Sequence, residues 1–146
     1  MNIRKTLFAT IVMLFMMSIP GFALAFNMIT SDELKVRLDT KDPMILLDIQ
    51  KKNAYKEHHF YGSIRTYAYP AKNDSDLESA VQGVRMHEQT GNDIIIVGPR
   101  GGRASQRTTD FLITRGVPED KIFILKGGIK KWPYRKMLLD IKGGCK

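Results

Sequence analysis

Short apolar runs alternate with amphipathic stretches from residue 30 onward. Residues 44–49 and 94–97 are almost entirely apolar, a pattern typical of strands that are covered on both faces. The other predicted elements are strands over residues 64–69 and 121–125, a loop with at most one helical turn over 50–63, a short helix ending near Trp132, and helices over 31–40, 76–90, 103–115 and 134–141. Alternating elements of this length favour one α/β domain with a mainly parallel sheet.

The ends of the predicted helices carry capping signals. Thr30 with Glu33 and Ser75 with Glu78 both match the capping box, in which each side chain accepts a hydrogen bond from the other residue's backbone N–H. Gly116 follows the third long helix and is well placed to end it in a left-handed conformation. These signals predict where three of the helices begin or end.

The first 25 residues are typical of a secretory signal peptide. A basic start precedes the apolar run of residues 7–19, and Ala23 and Ala25 are small residues of the kind that a signal peptidase reads. We expect cleavage after Ala25 and export to the periplasm or the exterior, with residues 26–146 as one domain. The run is shorter than the roughly 20 residues of a membrane-spanning helix, so no stable span is expected after cleavage. An uncleaved anchor is the alternative.

Composition narrows the classes of function. The chain has 146 residues, of which 43% are hydrophobic and 26% are charged, and this fits one globular domain. Its formal net charge of +8 favours anionic partners. Cys145 is the sole cysteine, so an internal disulfide, a CxxC redox pair and a multi-cysteine metal site are excluded. In an oxidising compartment this thiol could link two chains as a disulfide-bonded dimer.

The most informative segment is the glycine-rich stretch of residues 98–104, which follows a predicted strand and precedes a predicted helix. Ligands of parallel sheets bind at the carboxyl ends of the strands. A glycine-rich turn there can direct several backbone N–H groups at one anion, with the positive end of a helix behind it. No Walker or dinucleotide-binding pattern is present, and a solvated turn is the alternative interpretation. The candidate anion-binding residues are Arg100, Gly101, Gly102, Arg103 and Ala104.

Four motifs in order resemble those of a rhodanese-like domain, over about residues 28–133. The matching features are a strand with Leu47-Asp48-Ile49, a stretch with His59, Gly62 and Ile64, the strand and loop of residues 94–104, and a closing Gly127-Gly128-Ile129-x-x-Trp132. The resemblance implies a three-layer α/β/α fold with a central, mainly parallel sheet. It also implies that the C-terminal helix and tail, residues 134–146, lie beyond the family core.

The active loop departs from the pattern of the catalytic members. Those members carry a nucleophilic cysteine as the first of six loop residues, and here that position is Gly98, with the family's loop glycine and arginine matched by Gly101 and Arg103. Sulfur transfer needs a thiolate. Ser105 is the nearest hydroxyl, predicted in the first turn of the following helix, and a serine cannot store sulfane sulfur. Cys145 lies in a terminal tail that cannot hold a nucleophile against the loop.

Other candidate residues have structural interpretations. The adjacent His58 and His59 point apart in extended chain and lack further ligands, so no metal and no cofactor are expected, and His59 is expected to form a structural hydrogen bond. Asp48 is expected to make a turn contact, and Trp132 to lie in the core. A run of basic residues on both sides of Trp132 is interpreted as a solvated face, since an exported protein rarely meets nucleic acid. This run contains Lys126, Lys130, Lys131, Arg135 and Lys136.

The sequence therefore predicts an exported domain without sulfurtransferase activity. Its loop of residues 98–104 would bind a small oxyanion or an anionic group of a partner protein. Two alternatives remain open: a protein-interaction module with no small-molecule ligand, and an active thiosulfate sulfurtransferase that uses a different thiol. If the loop is intact, Gly98→Cys is expected to restore a reactive, sulfur-accepting thiol.

Overall fold

The computed structural model describes residues 25–139 and contains a central sheet of five parallel strands. These strands are β1 (Met28–Ile29), β2 (Met44–Asp48), β4 (Ile64–Arg65), β5 (Asp93–Val97) and β6 (Ile122–Leu125). They lie in the order β1, β6, β5, β2, β4. β2 and β5 pair along their whole length, from Met44 opposite Asp93 to Asp48 opposite Val97.

Helices cover both faces of this sheet. The α-helices are α1 (Ser31–Asp39), α2 (Lys52–Glu57), α3 (Asp74–Leu77), α4 (Val81–Thr90) and α5 (Arg103–Thr114). Short 3₁₀ helices occupy Glu78–Ala80, Glu119–Lys121, Ile129–Lys131 and Arg135–Met137. The three-layer α/β/α fold expected from the resemblance is confirmed.

Side chains alternate along the central strands, so β2 and β5 contribute to two separate cores. Leu47 of β2 packs on the side of α4 and α5, in one cluster with Phe111. Its neighbour Leu46 faces the opposite side, in a cluster with Leu34 of α1 and Trp132. Trp132 is buried, as expected. Because both faces are covered, the two central strands consist of apolar runs, which explains why the sequence predicted them well.

The helix predicted over residues 134–141 is wrong wherever the structure describes it. Arg135–Met137 form a 3₁₀ turn, and Leu138–Leu139 form β7, which pairs antiparallel with β3 (His59–Phe60). Leu138 packs against the second core. A few apolar residues at helical spacing do not distinguish a helix from a short strand, and pairing with a distant segment decides the outcome here.

The polar segment after β2 also differs from its prediction. Residues 50–63 contain α2 and β3 rather than a loop with one turn. The strand predicted over residues 64–69 is only two residues long, because the chain then turns away from the sheet. Thr66 donates from both its N–H and its hydroxyl to the Asp48 carbonyl at 2.9 Å, and Tyr67 adopts a left-handed φ of 58°.

One of the two predicted capping boxes forms. The Thr30 hydroxyl accepts from the Glu33 N–H, and the Glu33 carboxylate accepts from the Thr30 N–H at 2.8 Å. The box predicted from Ser75 and Glu78 is wrong: α3 begins after Asn73 without a side-chain cap and ends after one turn. Gly116, with φ of 94°, follows α5 as predicted.

Two predictions lie outside the described residues. The signal peptide of residues 1–25 falls almost entirely before the first described residue, and Cys145 falls after the last one. Between residues 25 and 139, no helix combines the length and apolarity needed to cross a membrane.

Candidate anion-binding site

The candidate site lies where β5 ends and α5 begins. Residues 98–102 connect the two elements at the carboxyl edge of the sheet, next to the end of β2. This is the edge at which open parallel sheets bind ligands. The sequence predicted this position correctly because the buried strand and the following helix are both strongly patterned.

The turn of residues 127–131 holds the loop from one side. The Gly98 carbonyl accepts from the Ile129 N–H at 3.0 Å, and the Pro99 carbonyl accepts from the Lys130 N–H at 3.2 Å. The carbonyl and N–H of one trans peptide point in opposite directions. The N–H of Arg100 is therefore directed away from this turn.

Two glycines allow the close contact between the loop and its support. Gly128 has φ of 60°, and a Cβ there would lie 2.4 Å from the Gly98 carbonyl oxygen and 2.5 Å from the Arg100 nitrogen. Gly101 has φ of 63°, and its Cβ would lie 2.3 Å from the Leu125 carbonyl oxygen. A side chain at either position would therefore displace the loop as well as strain the backbone.

The backbone N–H groups of residues 100–105 are free of protein partners. Within residues 25–139, none of these six N–H groups donates to another protein atom, and the first N–H after them, that of Gln106, donates to the Gly102 carbonyl at 3.1 Å. Three of the six belong to the first turn of α5, whose N–H groups lack partners within the helix. The loop thus offers several donors at the positive end of a helix.

Five of these six residues, all but Gly101, line a cavity of about 370 Å³, which we call the cradle. Apart from residues of the 98–104 loop, the cradle is lined by Tyr69, Pro70, Lys72, Ser105 and Arg107, and its lining contains no carboxylate. Arg100 and Arg103 both line it and are both exposed. Within the described residues, neither arginine forms an ion pair or a side-chain hydrogen bond, so both charges are available to an anion. Four of the five predicted residues line the cradle: Arg100, Gly102, Arg103 and Ala104.

The volume next to Gly98 is occupied by a hydroxyl. A Cβ added at Gly98 would lie 2.5 Å from Ser105 Oγ and 3.4 Å from Ile49 Cδ1. Ser105 is only 1% exposed, and its hydroxyl has no hydrogen-bond partner among the described residues. Ser105 is also one of the residues that line the cradle.

The sequence correctly predicted the position of Ser105 in the helix but did not identify Ser105 as a residue of the site. Its position in the first turn of α5 was predicted, and the missing observation was its direction toward Gly98. A small residue seven positions before a buried serine carries no pattern that could have shown this contact.

Comparison with known protein families decides the relationship. The family model described as the rhodanese-like domain matches residues 30–133. This chain belongs to the rhodanese-like family. Comparison with curated protein sequences gives no match.

Solved structures agree with the rhodanese-like fold. A rhodanese-like domain from Anabaena is 18% identical with a TM-score of 0.59, and 81% of this chain covers 83% of that one. An As–Sb reductase from Leishmania major is 12% identical with a TM-score of 0.60, with coverages of 80% and 86%. A yeast protein tyrosine phosphatase of the rhodanese family is 12% identical with a TM-score of 0.53, with coverages of 73% and 83%. At these identities, the likeness concerns the fold alone.

The family motifs outside the loop have structural roles in this rhodanese-like domain. The buried His59 ring stacks on Tyr55 at 4.1 Å between centroids, and its Nδ1 lies 2.8 Å from the Tyr55 carbonyl oxygen. This confirms the structural hydrogen bond expected of His59. His58 is exposed, and no three His, Cys, Asp or Glu side chains between residues 25 and 139 are grouped as metal ligands.

Asp48 makes the expected turn contact beside the site. Its carboxylate accepts from the Gln50 N–H at 2.8 Å and from Gln50 Nε2 at 3.1 Å, and Nε2 also donates to the His58 carbonyl at 3.0 Å. Burial raises the pKa of Asp48 to about 7, although the two hydrogen bonds from Gln50 oppose the rise. The turn after β2 therefore contains a carboxyl group that titrates near neutral pH.

Proposed function

We propose that this rhodanese-like domain binds a small tetrahedral oxyanion, or the anionic group of a partner protein, in the cradle, and does not transfer sulfur. The observation that carries the proposal is the set of unpartnered N–H groups of residues 100–105 beside a cavity whose charged lining is entirely positive. An anion with several oxygens can accept from more than one of these donors at once.

Arginine side chains add charge to the backbone donors. Arg100 and Arg103 lack ion-pair partners in the described structure and line the cradle together with Lys72 and Arg107. Charge-assisted hydrogen bonds are roughly twice as strong as neutral ones, and a guanidinium can bond two oxygens of one anion. We assign Arg103 the main charged contact because it begins α5, directly beside the free N–H groups.

Ser105 contributes the remaining donor. Ser105 lines the cradle, and its buried hydroxyl lies 2.5 Å from the point where the side chain of residue 98 would begin. A hydroxyl donates to an anion but does not carry sulfane sulfur as a thiol does. The Ser105 hydroxyl thus completes the anion site and also takes up space that the nucleophilic side chain would occupy in active members of the family.

Absence of sulfur transfer follows from the chain's thiol content. Gly98 has no side chain, and the sole cysteine of the sequence is Cys145. We expect no turnover in a thiosulfate:cyanide assay, and turnover that disappears in Cys145→Ser would contradict the proposal. The proposal includes export, which rests on the pattern of residues 1–25, and a mature protein that begins at Phe26 would support it whereas one that retains Met1 would count against it.

Calorimetric titration with sulfate, phosphate and thiosulfate tests the anion site. We expect saturable binding of at least one of them, and Arg103→Ala should weaken it at least about tenfold, since hydrogen bonds to charged groups contribute roughly 1.5–3 kcal/mol. Ser105→Ala should weaken it less. Arg85→Ala is the matched control, because Arg85 is an exposed arginine on α4 that does not line the cradle. No heat of binding for any of the three anions would refute the proposal.

A further inference from the structure

A second and larger cavity adjoins the cradle. Its volume is about 760 Å³, and we call it the side cavity. It lies between α2 and the turn of residues 129–135, and it shares three lining residues with the cradle: Tyr69, Pro99 and Arg100. Its size falls in the range of sites that bind small organic molecules and exceeds what a single tetrahedral oxyanion needs.

The inner wall of the side cavity is mainly apolar. Ala54 of α2, Tyr69, Pro99 and Ile129 line it, together with the buried amide residue Gln50. Ile129 is 6% exposed and belongs to the second core, so this wall is fixed by the packing of the domain. An apolar group placed there would be removed from water, which favours binding in proportion to the area covered.

The rim of the side cavity is mainly basic. Lys51, Lys130 and Arg135 line it in addition to the shared Arg100, with Glu57 as the carboxylate in the lining. Lys51 Nζ lies 5.7 Å from the centre of the Tyr69 ring, and Arg135 Nη2 donates to the Lys130 carbonyl at 3.0 Å. A ligand that enters past this rim is therefore favoured if it carries negative charge, even though its body rests on an apolar wall.

We infer that the two cavities together bind one organic anion, with a tetrahedral oxyanion head in the cradle and an apolar body of aryl size in the side cavity. The inference rests on the proposed function, because it assigns the head group to the same site. Arg100 lies at the junction and contacts the ligand where head and body meet. The chemical class is that of aryl phosphate or sulfate monoesters and aryl sulfonates.

Three probes separate the contributions of the head and the body. Calorimetry with inorganic phosphate measures the head, 1-naphthyl phosphate measures both, and 1-naphthol measures the body without charge. We expect naphthyl phosphate to bind at least tenfold more tightly than inorganic phosphate, and more tightly than naphthol. Equal affinities for the two phosphates would overturn the inference.

Ala54→Trp tests whether the gain comes from the side cavity. The larger side chain should fill the cavity and remove the advantage of naphthyl phosphate, while leaving the affinity for inorganic phosphate unchanged. Ala54→Leu is a milder second variant, expected to reduce the advantage partly. Asn53→Trp is the matched control, since Asn53 is an exposed neighbour on α2 outside the cavity. An advantage unchanged in both Ala54 variants would refute the inference.

The outcomes also separate this inference from the proposed function. If inorganic phosphate binds and the naphthyl group adds nothing, the cradle stands and the side cavity is not part of the site. If no oxyanion binds with or without the naphthyl group, the proposed function fails and this inference fails with it.

Discussion

The cradle and the side cavity are built in different ways. The cradle consists largely of backbone, namely the end of β5, the start of α5 and the loop that Gly101 and Gly128 allow to pack closely. Apart from Pro99 and Arg100, the side cavity is lined by residues from the 50–58 segment, by Tyr69 and by the 129–135 turn. Backbone donors recognise any suitable oxyanion. Substitutions can change the size and polarity of the side chains that line the side cavity without moving the loop. Recognition of a head group and recognition of the ligand's body are therefore separable in this domain.

The largest predicted effect concerns Asp48, which accepts hydrogen bonds from Gln50, a residue that lines the side cavity. Burial raises the pKa of Asp48 from 3.8 to about 7. Well below pH 3.8 the carboxyl is protonated in both the folded and the unfolded chain, so it does not lower the free energy of unfolding. As pH rises from about 4 to about 7, the unfolded chain releases its proton first, so stability is lost. A pKa difference of this size corresponds to roughly 4 kcal/mol.

Asp48→Asn should remove that pH dependence. Urea unfolding near pH 4.5 and near pH 7.5 measures it for both proteins. The free energy of unfolding of the native protein should fall by several kcal/mol relative to the variant between these two values. Parallel profiles would show that Asp48 is not held at a raised pKa.

The next largest effect concerns the cradle. Gly128→Ala places a Cβ against the loop backbone and strains a residue with positive φ, so we expect a loss of about 2–3 kcal/mol in stability and of most oxyanion binding. Thermal unfolding and calorimetry measure the two losses. The control is Gly116→Ala, which has positive φ but no atom within 4 Å of its added Cβ. Equal losses of anion binding in both variants would show that the contact between Gly128 and the loop is unimportant.

The smallest predicted effect tests the role of Ser105 in the cradle. A side chain at residue 98 meets the Ser105 hydroxyl at 2.5 Å, so Gly98→Cys alone forces that hydroxyl to rotate away. We expect the thiol of Gly98→Cys/Ser105→Ala to react several-fold faster with an alkylating reagent, and to accept sulfur from thiosulfate more readily, than that of Gly98→Cys. The structure thus adds a condition to the expectation drawn from the loop sequence alone. Equal reaction rates would show that Ser105 does not obstruct this position.

The parts that the sequence predicted well are those in which local pattern and tertiary packing agree. β2 and β5 are apolar runs buried on both faces, and the box of Thr30 and Glu33 needs only neighbours three residues apart. The position of the loop could be predicted as well, because it depends only on the strand before it and the helix after it.

The parts that the sequence did not predict depend on distant partners. β7 exists because Leu138 and Leu139 pair with β3, about 80 residues earlier. The strand at Ile64 is short because Tyr67, with φ of 58°, turns the chain out of the sheet. Ser105 contributes to the site because its side chain lies next to Gly98. The side cavity is formed by segments that the sequence pattern predicted as loop or as helix.

Binding of an oxyanion by the free N–H groups of residues 100–105 is tested most directly by two-dimensional ¹⁵N–¹H spectra of the protein titrated with sulfate. We expect saturable shifts that are concentrated in the amides of Arg100 to Ser105 and that are reduced in Arg103→Ala at the same sulfate concentration. Spectra in which these amides do not move, or move no more than amides across the rest of the surface, would contradict it.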